Sequence, residues 1–234
     1  MTKVLLIRHG QTEHSSRPQF RGRVDFALSD TGVAQARATS RRISSTSAWE
    51  PSAVYSSPLR RCSVTAQIIA APFGLAVQLV DGLNDIDYGE WQGLTRDEVK
   101  ARWPERFEAW SHIPHLARIP GGEMLREVMA RASGALRNIL RRHPNETVVL
   151  VGHNSLNRTI MLHALDLPLS RYRSFRHDFC GISELDFRGG RFSIRRINET
   201  YHLENRTEVA VKVGVAPRVD VALDRLHVDA PRSD

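Results

Sequence analysis

The chain has 234 residues, 41% hydrophobic and 25% charged, enough to bury one sizeable core and too few for two full domains, so one domain plus a tail is expected. Its two cysteines, Cys62 and Cys180, stand far apart without metal-like spacing, which argues against a disulfide framework or a zinc knuckle and points to reduced thiols. The net charge of +7 rests on arginines, with only Lys3, Lys100 and Lys212 beside them, and favours anionic partners; scattered pairs such as Arg41-Arg42 and Arg195-Arg196 speak against a nucleic-acid platform.

Residues 4–7 form a continuous apolar run bounded by charge, as a strand buried on both faces of a parallel sheet does. The run is too short for a signal-peptide core, and no later stretch approaches the roughly 20 apolar residues of a membrane span. A cytoplasmic protein without membrane contact is therefore expected. Asp30-Thr-Gly opens a helix over residues 33–43, with Ser29 or Asp30 as N-cap. Residues 53–56 read as a short strand, after which Ser56-Ser57-Pro58 supplies a cap and an early proline for a helix reaching about Ala71.

A further strand is expected at 75–79, a long amphipathic helix at 122–142, and a strongly buried strand at 147–151 that runs into Gly152-His153-Asn154. A helix over 156–165 follows, and segments 182–187 and 191–197, joined across Gly189-Gly190, read as a hairpin at one sheet edge. This alternation predicts an α/β fold with a mostly parallel central sheet and helices on both faces. Loops after the carboxyl ends of such strands gather along one edge, where ligands bind. Arg8-His9, residues 56–61 and Gly152-His153 each follow a predicted strand, so they are expected to converge. The segment after Asn205 alternates Val with other residues and fits an added edge strand, a dimer arm or a loose tail. A homodimer is compatible with it.

A lone histidine at a strand end is more often structural than catalytic. His9, however, is flanked by Arg8 and Gly10 and is expected to share an edge with Arg61 and His153. Two guanidinium forks match phosphoryl oxygens and stabilise the charge they carry in the transition state. Neighbouring cations disfavour the imidazolium and keep a nitrogen lone pair available for attack. The leaving alkoxide needs a proton, and Leu83-Asn-Asp-Ile-Asp-Tyr-Gly-Glu-Trp-Gln-Gly offers Asp85, Asp87 and Glu90, among which spacing alone does not choose.

These residues fall into blocks whose order resembles the histidine phosphatase superfamily, or phosphoglycerate mutase-like family, from Lys3 to about Asn205. The blocks are Leu6-Ile-Arg-His-Gly-Gln-Thr-Glu; Phe20-Arg-Gly with Asp25 and Leu28-Ser-Asp-Thr-Gly; Val54-Tyr-Ser-Ser-Pro-Leu-Arg-Arg with Thr65-Ala66; the segment from Leu83 to Gly93; Pro120-Gly-Gly-Glu; and Val149-Leu-Val-Gly-His-Asn. The resemblance implies a three-layer fold with a small helical cap at about 91–120, a histidine phosphatase domain over 1–205 and an extension of unknown role over 206–234. It makes His9 the nucleophile that becomes phosphohistidine, with Arg8, Arg61 and His153 as the rest of the phosphate pocket; Arg60 is then a solvated neighbour. The family's proton donor lands on Asp85, where many relatives carry Glu, with Glu90 as the fallback.

Ser15 stands where relatives often carry Asn and is a candidate phosphate contact. Arg21, beside Gly22, offers a grip for a carboxylate or second phosphate on the substrate, and Asn154 adjoins His153; all four are candidate substrate-binding residues. Trp91, Trp103, Phe107 and Trp110 are expected to pack the cap on the body. His112 and His115 do not make a metal site, since Pro114 interrupts the helix that would align them, and neither metal nor cofactor is expected. The reading is a metal-independent phosphatase of small phosphorylated metabolites. The short stretch from Gly93 to Pro120 favours hydrolysis over a 2,3-bisphosphoglycerate-dependent mutase, and the intact quartet of Arg8, His9, Arg61 and His153 disfavours an idle phosphate-binding protein.

Overall fold

Residues 1–13, 15 and 18–204 are described by a computed structural model, and the expected extension, 206–234, lies outside the described residues. Period-two alternation along the strands decides the layering. In β1 (Thr2–Arg8) and β4 (Thr147–Gly152), Val4, Leu6, Val148 and Leu150 enter one core and Leu5, Ile7, Val149 and Val151 the other. The second core is closed by α1 (Asp30–Ser44) and α2 (Arg60–Ala70) through Ile43, Cys62, Ala66 and Ile69. The first is closed by α5 (Leu125–Arg142) and α6 (Asn154–Ala164) through Leu136, Leu156 and Ile160. With β2 (Ala53–Ser56), β3 (Val77–Leu79), β5 (Ile182–Arg188) and β6 (Arg191–Glu199), the sheet runs β3-β2-β4-β1-β5-β6. The first four strands in this order are parallel, while β5 and β6 are antiparallel additions ending in the expected edge hairpin. The fold is the mostly parallel, three-layer α/β arrangement read from the sequence.

Between α2 and α5, α3 (Arg96–Arg102) and α4 (Pro104–His112) fill the cap region. Thr95 and Glu98 form a capping box that starts α3, and Pro104 occupies the first turn of α4. Trp91, Phe107 and Trp110 are buried with Phe20 in the same core as Leu136 and Ile160, so they are packing aromatics as expected.

Three helix starts and one strand differ from the sequence reading. Helix α2 begins at Arg60 rather than at the serines, because Ser57 Oγ donates to Asn84 Oδ1 at 3.0 Å and the Arg60 N–H is capped from afar by Asp25 Oδ1 at 2.8 Å. Helix α5 begins at Leu125 rather than Gly122: Glu123 N donates to Asp87 O at 2.9 Å, so residues 120–123 form a buckle onto the segment before the cap. Helix α6 begins at once on Asn154, straight off the strand. Strand β3 shortens to Val77–Leu79, since Gly74 turns left-handed at φ 64° after α2. Ser29 is the N-cap of α1, its Oγ accepting from Gly32 N at 3.1 Å.

The first turn of α1 lies against the chain just past β1, backbone on backbone. A Cβ on Gly32 would stand 2.0 Å from Gln11 O, and one on Gly10 would stand 2.5 Å from Gly32 O. Gly134, in the middle of α5, has nothing within 4 Å of its Cβ position. Gly32→Ala is therefore expected to destabilise by about 1–3 kcal/mol, whereas Gly134→Ala should stabilise by about 0.5–1 kcal/mol through helix propensity. Urea unfolding of the two variants, which share one chemical change, checks this contrast.

Candidate active site

The parallel register brings three strand ends together. Arg8 pairs with Gly152 and Ser56 with Val151, so the residues that follow, His9, His153 and Ser57, emerge side by side. The His9 N–H donates to Gly152 O at 3.0 Å, which ties the two histidine-bearing turns directly. Their imidazoles lie edge to face with centroids 5.3 Å apart. His9 is buried, and its Nδ1 lies 2.7 Å from its neighbour's carbonyl, Gly10 O. A carbonyl only accepts, so this contact fixes the proton on Nδ1 and leaves the lone pair on Nε2. Gly10 is held in turn by Thr65 Oγ1, which accepts its N–H at 3.1 Å.

Arg61, from the first turn of α2, is only 1% exposed. Its Nη2 and Nη1 donate to Gly22 O at 2.6 Å and Val24 O at 2.8 Å, and its Nε donates to His153 Nδ1 at 3.2 Å. The last contact sets His153 as the Nε2–H tautomer when neutral. Gly22 reaches its left-handed φ of 50° in a place where a Cβ would come within 2.6 Å of Gln92 Oε1, and it contributes through its carbonyl. The Cys62 thiol lies 3.3 Å from both Gly152 O and His153 Nε2, and burial pushes its pKa up. Arg8 spends Nη1 on His177 O at 2.7 Å, while its Nε is buried without a protein hydrogen-bond partner. Burial lowers the Arg8 pKa to about 10, still fully charged at neutral pH.

Of the three acids left open by spacing, the structure brings one to this cluster. Asp85 Oδ2 is 3.6 Å from Arg61 Nη2 and 3.8 Å from His153 Nδ1. Asp87 instead accepts from Gly89 N at 2.8 Å and pairs with Arg23, and Glu90 is exposed. Arg60 is exposed as well. Arg21 is half-buried and close enough to lower the pKa values of His9 and Arg8. Asn154 opens α6 with a buried Oδ1 that has no protein partner. Ser15 turns inward on its own loop, its Oγ accepting from Thr12 N at 2.9 Å. Among the described residues, no group of three or more His, Cys, Asp or Glu could hold a metal ion, and no helix is long and apolar enough to cross a membrane.

Residues outside the sequence constellation build the frame. Arg131, on α5, donates to Gly82 O, Asn84 O and Asp85 O at 3.1, 2.6 and 2.8 Å, and pairs with Glu123 at 2.8 Å. Glu123 closes the buckle by accepting from Asp87 N at 2.9 Å. The Pro120-Gly-Gly-Glu block was its only sequence signal. His177 and Phe179 carried none.

With this geometry in view, residues 4–200 match the histidine phosphatase superfamily (branch 1). The chain belongs to that superfamily. It is 34% identical over 203 residues to phosphoserine phosphatase 1 of Hydrogenobacter thermophilus, covering 87% of this chain and 95% of that one. Among solved structures, Bacillus stearothermophilus YhfR superposes with a TM-score of 0.82 at 29% identity, over 87% of this chain and all of the other. A phosphoserine phosphatase variant from Entamoeba histolytica, solved in complex with phosphoserine, gives 0.78 at 28% identity, with the same coverages. Within the superfamily, this chain is a phosphoric monoester hydrolase.

Burial acts oppositely on the site's two kinds of titratable group. It pushes His9 and His153 well below 6.5, with Arg61 the next cause for both, and lowers His177 to about 4. It raises the Asp85 carboxyl above its usual 3.8, against the pull of Arg61. A histidine depressed in the fold takes up its proton more readily when unfolded, so its contribution is complete above pH 6.5 and is lost as pH falls toward the folded value. For His177 that loss amounts to about 3 kcal/mol by pH 4. Asp85 has the reverse sign, its contribution being complete below 3.8 and lost as pH rises through the elevated folded value. Thermal unfolding should therefore show Tm falling from pH 7 to pH 5, above the range where ordinary carboxylates titrate. Asp85→Asn at pH 7 should be at least as stable as the wild type, and a flat Tm between pH 7 and 5 would contradict the burial of the histidines.

Proposed function

We propose that this phosphatase hydrolyses a small phosphate monoester bearing a second anionic group, through a phosphohistidine on His9. The observation that carries the reading is the His9 Nδ1 contact with Gly10 O, which leaves Nε2 as an unprotonated nucleophile between Arg8 and Arg61. Nε2 attacks phosphorus in line as the ester P–O bond breaks. The ring gains positive charge as the new bond forms, and the Gly10 carbonyl opposite stabilises it through the Nδ1–H. Arg8 meets the phosphoryl oxygens through the Nε–Nη2 edge of its fork, and Arg61 through the Nη protons not spent on Gly22 and Val24, its Nε being held by His153.

Asp85, whose proton affinity burial raises, gives its proton to the leaving alkoxide. The resulting carboxylate then takes a proton from water as that water attacks phosphorus, which frees Nε2 and releases inorganic phosphate. His153 serves as a second, neutral wall of the phosphate pocket. Asn154 and Arg21 are placed in substrate contact in this reading, Arg21 with an anionic group beyond the phosphoryl. Support for such a substrate comes from the phosphoserine named in the relatives and from a third guanidinium, that of Arg21, close enough to His9 and Arg8 to lower their pKa values. Ser15 is assigned a phosphate contact only if its hydroxyl leaves Thr12.

Phosphate release from p-nitrophenyl phosphate, phosphoserine, 3-phosphoglycerate and an uncharged alkyl phosphate, all in EDTA, tests this scheme. His9→Ala is expected to lose at least about 10³-fold on every ester. Turnover of 3-phosphoglycerate to 2-phosphoglycerate, stimulated by the bisphosphate and without hydrolysis, would make the chain a mutase instead. Asp85→Asn should slow the alkyl esters about 10²–10³-fold while sparing the aryl ester, whose leaving group needs little proton transfer. Equal losses would remove Asp85 from the role of acid. Arg21→Met should raise KM about tenfold for phosphoserine and leave that for p-nitrophenyl phosphate nearly unchanged.

A further inference from the structure

The segment from Phe175 to Cys180 belongs to none of the sequence blocks, yet it straps the end of β1. Arg158 Nε donates to Phe175 O at 2.9 Å, Arg8 Nη1 donates to His177 O at 2.7 Å, and Cys180 N donates to Arg8 O at 3.0 Å. Between the last two contacts, the half-buried Phe179 lays its ring over the Arg8 guanidinium, 3.9 Å from Cζ to centroid. The same ring sits 5.7 Å from the His9 imidazole, tilted by 53°. One aromatic side chain thus touches both the phosphate-facing cation and the nucleophile.

The backbone behind it is held in an uncommon conformation. Cys180 is a non-glycine residue at φ 56°, fully buried. Thr39 Oγ1 donates to its carbonyl at 3.3 Å, and His202 Nε2 lies 3.1 Å from the same oxygen. At the next position, Gly181, a Cβ would stand 2.3 Å from Asn198 Oδ1. Left-handed backbone at a non-glycine residue persists where its surroundings over-determine it, and such places concentrate at functional sites. Here the kink lets the chain turn into β5 while the preceding side chain points back at β1.

We propose that Phe179 is a positioning residue for phosphoryl transfer: its ring face fixes the rotation of Arg8, so that the Nε–Nη2 edge meets the phosphoryl oxygens, and it walls one side of His9. The cation–π contact gains from the burial of the guanidinium's Nε beneath the ring's surroundings. With Nη1 held by His177 O and the guanidinium plane held by the ring, the buried Nε is left on the edge that grips an oxyanion. This inference rests on the phosphohistidine reading above for the identity of the oxyanion.

The test replaces Phe179 with mono-, tri- and pentafluorophenylalanine, which keep the shape of the ring while draining negative charge from its face. The expected result is a stepwise fall in kcat/KM for p-nitrophenyl phosphate, reaching roughly tenfold with the pentafluoro ring, at an unchanged Tm. Calorimetric affinity for vanadate, a transition-state mimic, should fall in parallel and by more than the affinity for inorganic phosphate. Phe179→Tyr should stay within about twofold of the wild type, and the apolar but non-aromatic Phe179→Leu should fall at least as far as the pentafluoro variant. A flat fluorination series in both turnover and vanadate binding, or a Phe179→Leu variant at wild-type level, would overturn the proposal and leave an ordinary packing residue. Failure of the phosphohistidine reading would show differently, as wild-type turnover that does not depend on His9, and vanadate binding would still report the grip of Arg8.

Discussion

The site depends above all on one buried cation. Arg61 is shut off from water, and a guanidinium there is tolerable only if its donors are met. Three are, by two carbonyls of the loop after Phe20 and by a histidine, and the carboxylate of Asp85 stands opposite. Arginine suits this position as lysine would not, because a planar fork can hold two carbonyls and an imidazole at once. Its anchoring explains why His153 has a defined tautomer and why the loop at residues 21–24 is pinned through its carbonyls. Remove the cation and three separate segments lose their common partner.

The same burial sets the protonation pattern. Desolvation disfavours charge on any group, so it drives histidines toward neutral and a carboxyl toward neutral too, which a solvated cluster would not do. Arg61 and Arg8 reinforce the effect on His9 and oppose it on Asp85. A neutral imidazole beside a carboxyl whose hold on its proton burial strengthens is the direction that nucleophilic attack with general-acid assistance requires. The sequence-level expectation credited the neighbouring cations with keeping His9 neutral; burial is the larger cause, and the cations come second. Burial of a loop residue is a property of the folded assembly that spacing does not contain.

Much of this was readable before the fold was known because parallel sheets convert sequence into place. A strand's last residue lies at a known edge, so Arg8, Ser56 and Gly152 announce a shared site without any tertiary information. The two-sided cores likewise follow from alternation in residues 4–7 and 147–151. Helix starts were less legible. Serines 56 and 57 look like a cap, but Ser57 is drawn off to Asn84 and the cap comes from Asp25, thirty-five residues earlier. The Gly122 start failed for a related reason, since the residues before α5 are spent on buckling the chain to Asp87. The strap holding His177 and Phe179 was illegible because its contacts run through a backbone carbonyl, a ring face and a left-handed kink, none of which leaves a motif.

How the proposed nucleophile and the proposed acid are mounted differs in a way that bears on their chemistry. His9 hangs from two hydrogen-bonded strands, one of the stiffest supports available in a sheet, and its partner atoms are backbone. Asp85 lies on an irregular turn whose carbonyls at 82, 84 and 85 are all gathered by a single guanidinium from α5, itself braced by Glu123. The Arg131 staple fixes the backbone of this turn, and with it the place from which the short Asp85 side chain reaches toward Arg61. The distance from Asp85 to Arg61 is thus governed by contacts on the far side of the turn, within the core that carries the cap. His9 and Asp85 therefore answer to different layers of the fold, and a substitution in α5 can shift Asp85 without disturbing His9.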